Sequence, residues 1–278
     1  MSFDEINAPA SWRCVDFISD IHLQESESAN FLAWRSYMEL SPADAIFILG
    51  DLFEVWVGDD CLDTSPDSSS IARHEGLHFE EHCSRVLHLS AQQHTLYFMH
   101  GNRDFLVGQG LAKACGLQIL SDPSVLSFAG QRYLLSHGDA LCLSDQKYQD
   151  FRRMVRSSGW QQQFLATPLQ ERMQQARMIR SASEARKKDL QAAGEPWIDI
   201  DPSAAVKWMD AANCRHFIHG HTHEGRDHAI TTAQGEGVRH VLPDWHIASS
   251  SASATRGYAL RLCIDEEGAL RTQHVPVV

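Results

Sequence analysis

Five short apolar runs limit how this chain can fold, because each ends in polar residues of one chemical kind. The first, Cys14-Val15-Asp16-Phe17-Ile18, leads into Ser19-Asp20-Ile21-His22. Ala45-Ile46-Phe47-Ile48-Leu49 leads into Gly50-Asp51, and Leu96-Tyr97-Phe98-Met99 into His100-Gly101-Asn102-Arg103-Asp104. Tyr133-Leu134-Leu135 is followed by Ser136-His137-Gly138-Asp139, and His216-Phe217-Ile218 by His219-Gly220-His221-Thr222-His223. Runs this short and this apolar read as buried strands. Helix-prone stretches lie between them, at about 28–40, 71–90, 104–115 and 203–213, the last with Asp201 as N-cap and Pro202 in the first turn. Alternating strands and helices predict an α/β sheet with helices packed on it. In such sheets ligands gather beyond the carboxyl ends of the strands. All five polar clusters fall there.

One stretch interrupts the alternation. Residues 147–195 are polar, helix-prone and too long for an ordinary connection. Phe151, Met154 and Val155, then Phe164, Leu165, Leu169 and Met173, fall at helical spacing. The stretch reads as a helical insertion in a single domain spanning 1–278. Between 151 and 188 nine basic residues face two acidic ones, a local net of +7 in a chain whose formal charge is −12. Basic amphipathic helices with bulky apolar faces suit an anionic membrane surface or an acyl-lipid groove. The acidic remainder argues against a nucleic-acid partner.

At 43% hydrophobic and 22% charged the composition excludes disordered and fibrous chains. The apolar runs are too short to cross a bilayer, and the start, with Asp4 and Glu5, is unlike a signal peptide. Seven widely spaced cysteines without a C-x-x-C pair predict neither a disulfide framework nor a cysteine zinc site. They fit a reducing, cytoplasmic compartment.

Asp, His and Asn are ligands for Mn2+, Mg2+, Fe2+ or Zn2+ rather than for thiol-loving ions. Asp20 and His22 are two apart, so an extended strand end projects both to one side, and His221 and His223 repeat the spacing. Asp51, Asn102 and His137 arrive singly from three other ends. Seven candidate ligands are too many for one tetrahedral zinc and suit two ions sharing a carboxylate such as Asp51. A lone His after a strand is ordinarily a surface residue, and G-D alone is a turn signal. Five strand ends in order, each delivering such groups, are far less easily produced by accident.

That order, D-x-H, G-D, G-N-x-[DE], H-G and G-H-x-H, resembles the calcineurin-like metallophosphoesterase superfamily from Asp20 to His223. The resemblance implies a two-sheet αββα sandwich of the α/β class, with the insertion as a helical lid. It implies one metal on Asp20, His22, Asp51 and His223, and another on Asp51, Asn102, His137 and His221. Where the superfamily has His after the Asn of G-N-H-[DE], this chain has Arg103. Arginine cannot be a general acid near neutral pH but can clamp phosphate oxygens.

With the runs Gly50 to Asp60 and His137 to Asp145, Tyr148-Gln-Asp-Phe-Arg and Asp244-Trp245, the chain is similar to the UDP-2,3-diacylglucosamine pyrophosphohydrolases of lipid A biosynthesis. That likeness implies a UDP-linked diacylated glucosamine lipid as substrate and two Mn2+ ions, with Mg2+ or another divalent ion also suitable. It further implies attack of metal-bound hydroxide on the α-phosphorus, giving UMP and 2,3-diacylglucosamine 1-phosphate. The expected location is the cytoplasmic face of a Gram-negative inner membrane, as a peripheral protein. Asp51 and Arg103 would be catalytic. Asn102, Arg103, Asp145, Ser183, Arg186, Lys187 and His221 would touch substrate. Two positions depart from the family pattern: Glu224-Gly225 stands where Arg-Pro is usual, and Pro243 where Gly precedes Asp-Trp.

Two alternatives use the same fold: a phosphodiesterase or phosphatase for a soluble nucleotide or phosphoprotein, and a metal-stabilised module without catalysis. The second predicts missing ligands, whereas all seven positions are filled. His74-Glu75-Gly76-Leu77-His78 also matches the zinc-protease motif H-E-x-x-H. Gly76 weakens such a helix by about 1 kcal/mol relative to Ala, and no third ligand follows, so a solvated helix face is the preferred reading.

Overall fold

Strand alternation sorts the apolar runs into two layers of side chains. The computed structural model describes residues 3–62, 77–192, 199–248 and 255–277. Its strands are β1 (Asp4–Asn7), β2 (Cys14–Ile18), β3 (Ala45–Leu49), β4 (Thr95–Met99), β5 (Leu117–Leu120) and β6 (Ser124–Phe128), followed by β7 (Gln131–Ser136), β8 (His216–His219), β9 (Arg226–Thr232), β10 (Gly235–Val241), β11 (Tyr258–Ile264) and β12 (Leu270–Pro276). The helices are α1 (Ser28–Leu40), α2 (Leu77–Ser90), α3 (Gln109–Cys115), α4 (Gln146–Val155), α5 (Ser158–Leu165), α6 (Leu169–Ala192) and α7 (Pro202–Ala211). They build two six-stranded mixed sheets, ordered β1-β6-β7-β8-β10-β9 and β12-β11-β2-β3-β4-β5.

Between the sheets lies one apolar layer. Val15 and Phe17 of β2, Phe47 and Leu49 of β3, and Tyr97 and Met99 of β4 meet Tyr133, Leu135 and Ile218 of the other sheet. Phe17, Phe47 and Tyr97 stack in a row, with ring centroids 5.1 and 4.6 Å apart. The intervening residues point outward: Ile18, Ile46, Ile48, Leu96 and Phe98 pack under α1, α2 and α3. On the far side Leu134 and Phe217 pack under α7 with Ala205 and Met209. Both faces of the central strands are covered, so their sequences are almost wholly apolar and lack period-two alternation, with Asp16 the buried exception on β2. This is the expected αββα sandwich.

Two of the four expected helices, α1 and α7, fall close to their expected bounds. Asp201 caps α7 by accepting from Ala204 N at 2.8 Å. The helix expected over 104–115 begins only at Gln109, because 104–108 form the loop after β4. Of the helix expected over 71–90, residues 71–76 lie outside the described residues, as does most of the H-E-x-x-H match. The insertion forms α4, α5 and α6. The cysteine reading needs a correction: Cys14 and Cys263 are register partners on antiparallel β2 and β11 and are disulfide-bonded. A separation of 249 residues carries no pairing signal until the strand order is known.

Asp16, fully buried on the outward face of β2, accepts from Tyr37 Oη (2.7 Å), Ser41 Oγ (2.8 Å) and Arg261 Nε and Nη2 (both 2.7 Å). This network joins β2, α1 and β11 four residues before Asp20. Removing one partner of a buried pair leaves a charge uncompensated, which costs about 3–5 kcal/mol. Arg261→Met should therefore lower unfolding stability by about 3 kcal/mol in urea titration. An unchanged midpoint would mean that Tyr37 and Ser41 suffice.

Candidate metal centre

The carboxyl ends of β2, β3, β4, β7 and β8 meet at one place and deliver all seven expected ligands. Asp20 Oδ1 stands 3.2 Å from His223 Nε2 and 3.9 Å from His22 Nε2, and the two imidazole nitrogens are 3.5 Å apart. Beside them, His137 Nε2 is 3.8 Å from Asp51 Oδ1 and 3.1 Å from Asn102 Oδ1, which also lies 2.8 Å from His221 Nδ1. Two trios of donor atoms result, Asp20-His22-His223 and Asp20-Asp51-His137, each within 4.8 Å. Asp20 belongs to both.

The backbone is bent to achieve this. Non-glycine residues with φ in the left-handed region include Asp20 (54°), His22 (52°), Asp51 (53°), His221 (67°) and His223 (59°). Each such residue costs about 1–2 kcal/mol, and strain of this kind gathers where function requires it. Glycines let the loops touch: a Cβ on Gly101 would collide with Asp51 Oδ1, and one on Gly220 with Asp20 Oδ2 and Ser19.

The far side of several candidate ligands meets a partner as well. Asp20 Oδ2 accepts from Ser19 Oγ (2.6 Å) and His221 N (2.9 Å), which leaves Oδ1 for the centre. His137 Nδ1 lies 2.9 Å from the Leu49 carbonyl, so its proton sits there and Nε2 faces inward. Behind His22, Nδ1 is 2.9 Å from Glu54 Oε2, off the line of a good hydrogen bond. His223 Nδ1 faces Asp244 at 3.8 Å.

Lone-pair donors that face one another around buried carboxylates fit divalent cations. The titration behaviour expresses the same demand for positive charge. Burial opposes the charged form of His137, yet Asp51, Asp20 and Asp139 raise its pKa to about 9. Burial pushes Asp51 up. Burial also opposes ionisation of Asp20, but His223, His137 and His22 hold it far below the usual carboxylate range. Burial, reinforced by neighbouring His137, lowers His221 to about 3.

Among the expected substrate contacts, Asn102, Arg103, Asp145 and Ser183 line one cavity of about 350 Å3 beside the ligands, walled by Trp56, Phe105, Phe151, Trp160 and Phe164. Arg103 Nε is buried without a hydrogen-bond partner. Asp145 also caps α4, accepting from Tyr148 N at 3.0 Å. Arg186 and Lys187 have side chains outside the described residues. The insertion's other arginines turn largely inward: Arg152 to Asp139 (2.8 Å), Arg156 to the Gly101 carbonyl (2.8 Å), Arg172 to Asp60 (2.9 Å) and Arg180 to Glu54 (2.9 Å).

Three supporting carboxylates escaped the sequence reading. Asp104 is fully buried and accepts from Gly101 N and Leu52 N (both 2.8 Å), tying the loops after β3 and β4 together. Burial and then Asp51 raise its pKa to about 7. Its place in G-N-x-D was the available signal. Asp139 accepts from Tyr148 Oη at 2.5 Å and from Arg152, and the Tyr148 ring lies over His221 with centroids 5.9 Å apart. Glu54 is the third. The two departures at 225 and 243 meet each other: a Cβ on Gly225 would lie 2.8 Å from Pro243 Cβ.

An incoming divalent cation must displace the proton on His137. Because that pKa is raised to about 9, Mn2+ affinity should climb with pH and level off near that value. Calorimetry at neutral pH should show net proton release, and an affinity independent of pH would exclude His137 as a ligand. Gly101→Ala should push Asp51 out of place and weaken Mn2+ binding by roughly 10–100-fold, as loss of ligand support does. Wild-type affinity in that variant would mean that Asp51 is not a ligand.

The calcineurin-like phosphoesterase profile matches residues 15–225. A UDP-2,3-diacylglucosamine hydrolase from Serratia proteamaculans is 37% identical over 236 residues, covering 84% of this chain and 92% of its own. The protein of that name from Stenotrophomonas maltophilia is 38% identical over 236 residues, covering 83% and 90%. That from Xanthomonas axonopodis pv. citri is 36% identical over 259 residues, covering 91% and 96%. A solved phosphoesterase from E. coli overlays loosely, at TM-score 0.39 and 14% identity over 95% of this chain and 100% of that one. The family implies divalent metal ions, and the two trios are fit to hold them. The chain belongs to the calcineurin-like phosphoesterase family, in the branch whose curated members are named UDP-2,3-diacylglucosamine hydrolase.

Proposed function

We propose that this enzyme hydrolyses the pyrophosphate of UDP-2,3-diacylglucosamine at the α-phosphorus, releasing UMP and 2,3-diacylglucosamine 1-phosphate for lipid A synthesis. The observation that carries the reading is the apolar cavity of about 350 Å3 that opens on Asn102 and Arg103, where a lipid tail and a phosphate would be needed together. Asp20, His22, Asp51 and His223 would hold one Mn2+, and Asp51, Asn102, His137 and His221 another, with Mg2+ able to replace either. When bound, such ions neutralise phosphate charge and activate water.

Arg103 explains why this branch can lack the superfamily's histidine. The bond that breaks joins the α-phosphorus to the bridging oxygen, and that oxygen leaves as part of a phosphate monoester. Such a group, with a second pKa near about 6, departs without a proton. An alkoxide would need one. A general acid is therefore dispensable, and a guanidinium whose buried Nε lacks a partner can bind the transferring phosphoryl oxygens. Asp145 and Ser183 would meet the substrate along the same cavity, and Arg186 and Lys187 are its remaining expected contacts.

Residues 147–195 would act as a lid within a single domain. Leu143, Met154, Leu165, Met178 and Ile179, on α4 to α6 or just before them, are exposed large apolar side chains, and no helix among the described residues is long and apolar enough to cross a membrane. These features support a peripheral contact between the lid and an anionic membrane surface on the cytoplasmic side, where such a lipid resides.

Turnover of UDP-2,3-diacylglucosamine, UDP-glucose and an alkyl phosphodiester should be compared with Mn2+ present. The acylated substrate should be cleaved far faster than UDP-glucose, and the phosphodiester scarcely at all. Equal rates on the first two would overturn the lipid reading, and rapid cleavage of the third would overturn the leaving-group argument. Asp51→Ala should abolish turnover and reduce bound Mn2+ from two ions to at most one. Near-normal rates would refute the shared-carboxylate assignment.

A further inference from the structure

Glu54 lies five residues past the end of β3, is 8% exposed, and is shared between three groups. Its Oε2 is 2.9 Å from His22 Nδ1, while Oε1 is 2.9 Å from Arg180 Nη1 on α6 and 3.7 Å from Arg103 Nη1. Backbone hydrogen bonds fix this placement: His22 N to the Asp51 carbonyl (3.0 Å), Leu23 N to Leu52 (2.8 Å) and Glu54 N to Leu23 (3.1 Å). The carboxylate is thus held beside the His22 ring independently of its ion pairs. A buried ring nitrogen needs a partner, and Glu54 is the carboxylate within reach of Nδ1.

We propose that Glu54 is a positioning residue that holds His22 with its proton on Nδ1 while anchoring Arg103 and the insertion helix α6 through Arg180. The proposal rests on His22 being an ion ligand. A carboxylate on the back nitrogen fixes the ring's tautomer and orientation and increases the basicity of the nitrogen that faces the ion. The same carboxylate draws two guanidinium groups to the rim of the cavity, so ion binding at His22 and docking of α6 share one partner. Arg180 supplies the link from the insertion and Arg103 the link to the substrate side.

The test uses the full chain and readouts independent of turnover. Mn2+ titration followed by electron paramagnetic resonance should show about a 10–100-fold loss of affinity in Glu54→Leu. Glu54→Asp should recover part of it, and Arg180→Met should stay within about twofold of wild type. Hydrogen exchange across 169–183 should quicken in both Glu54→Leu and Arg180→Met. Wild-type affinity in a folded Glu54→Leu protein, or exchange unchanged in both variants, would overturn the proposal. If Glu54→Leu does not fold, nitrogen-15 NMR of the Mg2+-loaded wild type decides: a proton on His22 Nδ1 supports the assignment, and one on Nε2 overturns it. Failure of the substrate reading would look different, as intact Mn2+ binding and intact exchange effects with no cleavage of the UDP-lipid.

Discussion

Two buried carboxylates, Asp20 and Asp51, stand within the same few ångströms, and much of the surrounding structure offsets their repulsion. Imidazoles from β2, β7 and β8 supply partial compensation and a divalent ion would supply more. The loops must remain in strained conformations to keep these groups together. Left-handed backbone at five candidate-ligand positions is tolerated because it is over-determined from outside. Ser19 and the His221 amide grip one oxygen of Asp20. Asp104 ties the ends of β3 and β4, and the Asp16 network braces β2. Three apolar layers then hold the strands that carry these loops.

How much of this could be read from residues alone follows from the range of each interaction. The strands were recoverable because both of their faces are covered, which makes β2, β3 and β4 almost wholly apolar, Asp16 being the buried charge among them. The seven candidate ligands were recoverable because each follows such a run. Sheet membership was not apparent from the runs themselves, since β2 and β7 have the same local pattern. Cys14 and Cys263 illustrate the limit: only the antiparallel register of β2 with β11 brings them together. Glu54, Asp104 and Asp139 were missed for a related reason. An acidic residue shortly after a ligand looks like loop polarity until the groups it receives from other strands are known.

Charge in the insertion shows where a count of residues misleads. A local excess of basic side chains suggests an outward electrostatic face. Instead Arg152, Arg156, Arg172 and Arg180 point toward the body and satisfy carboxylates and carbonyls there. Arg172 is 1% exposed. What α4, α5 and α6 present outward includes Met154, Leu165 and Met178, whereas Ile179 faces the cavity. These four arginines thus act as fasteners between the insertion and the body, while Arg153 and Arg177 stay exposed.

The meeting of Gly225 with Pro243 has a consequence for how relatedness is judged. Taken position by position, a glycine at 225 and a proline at 243 count as two departures from the branch's pattern. In space they are one exchange, with a ring given up on one side of a contact and taken up on the other. The Pro243 ring and Tyr258 fill the space that a side chain at 225 would need. A side chain placed at 225 while Pro243 stays would put two groups in one place. The two positions therefore constrain each other, and neither can be judged alone.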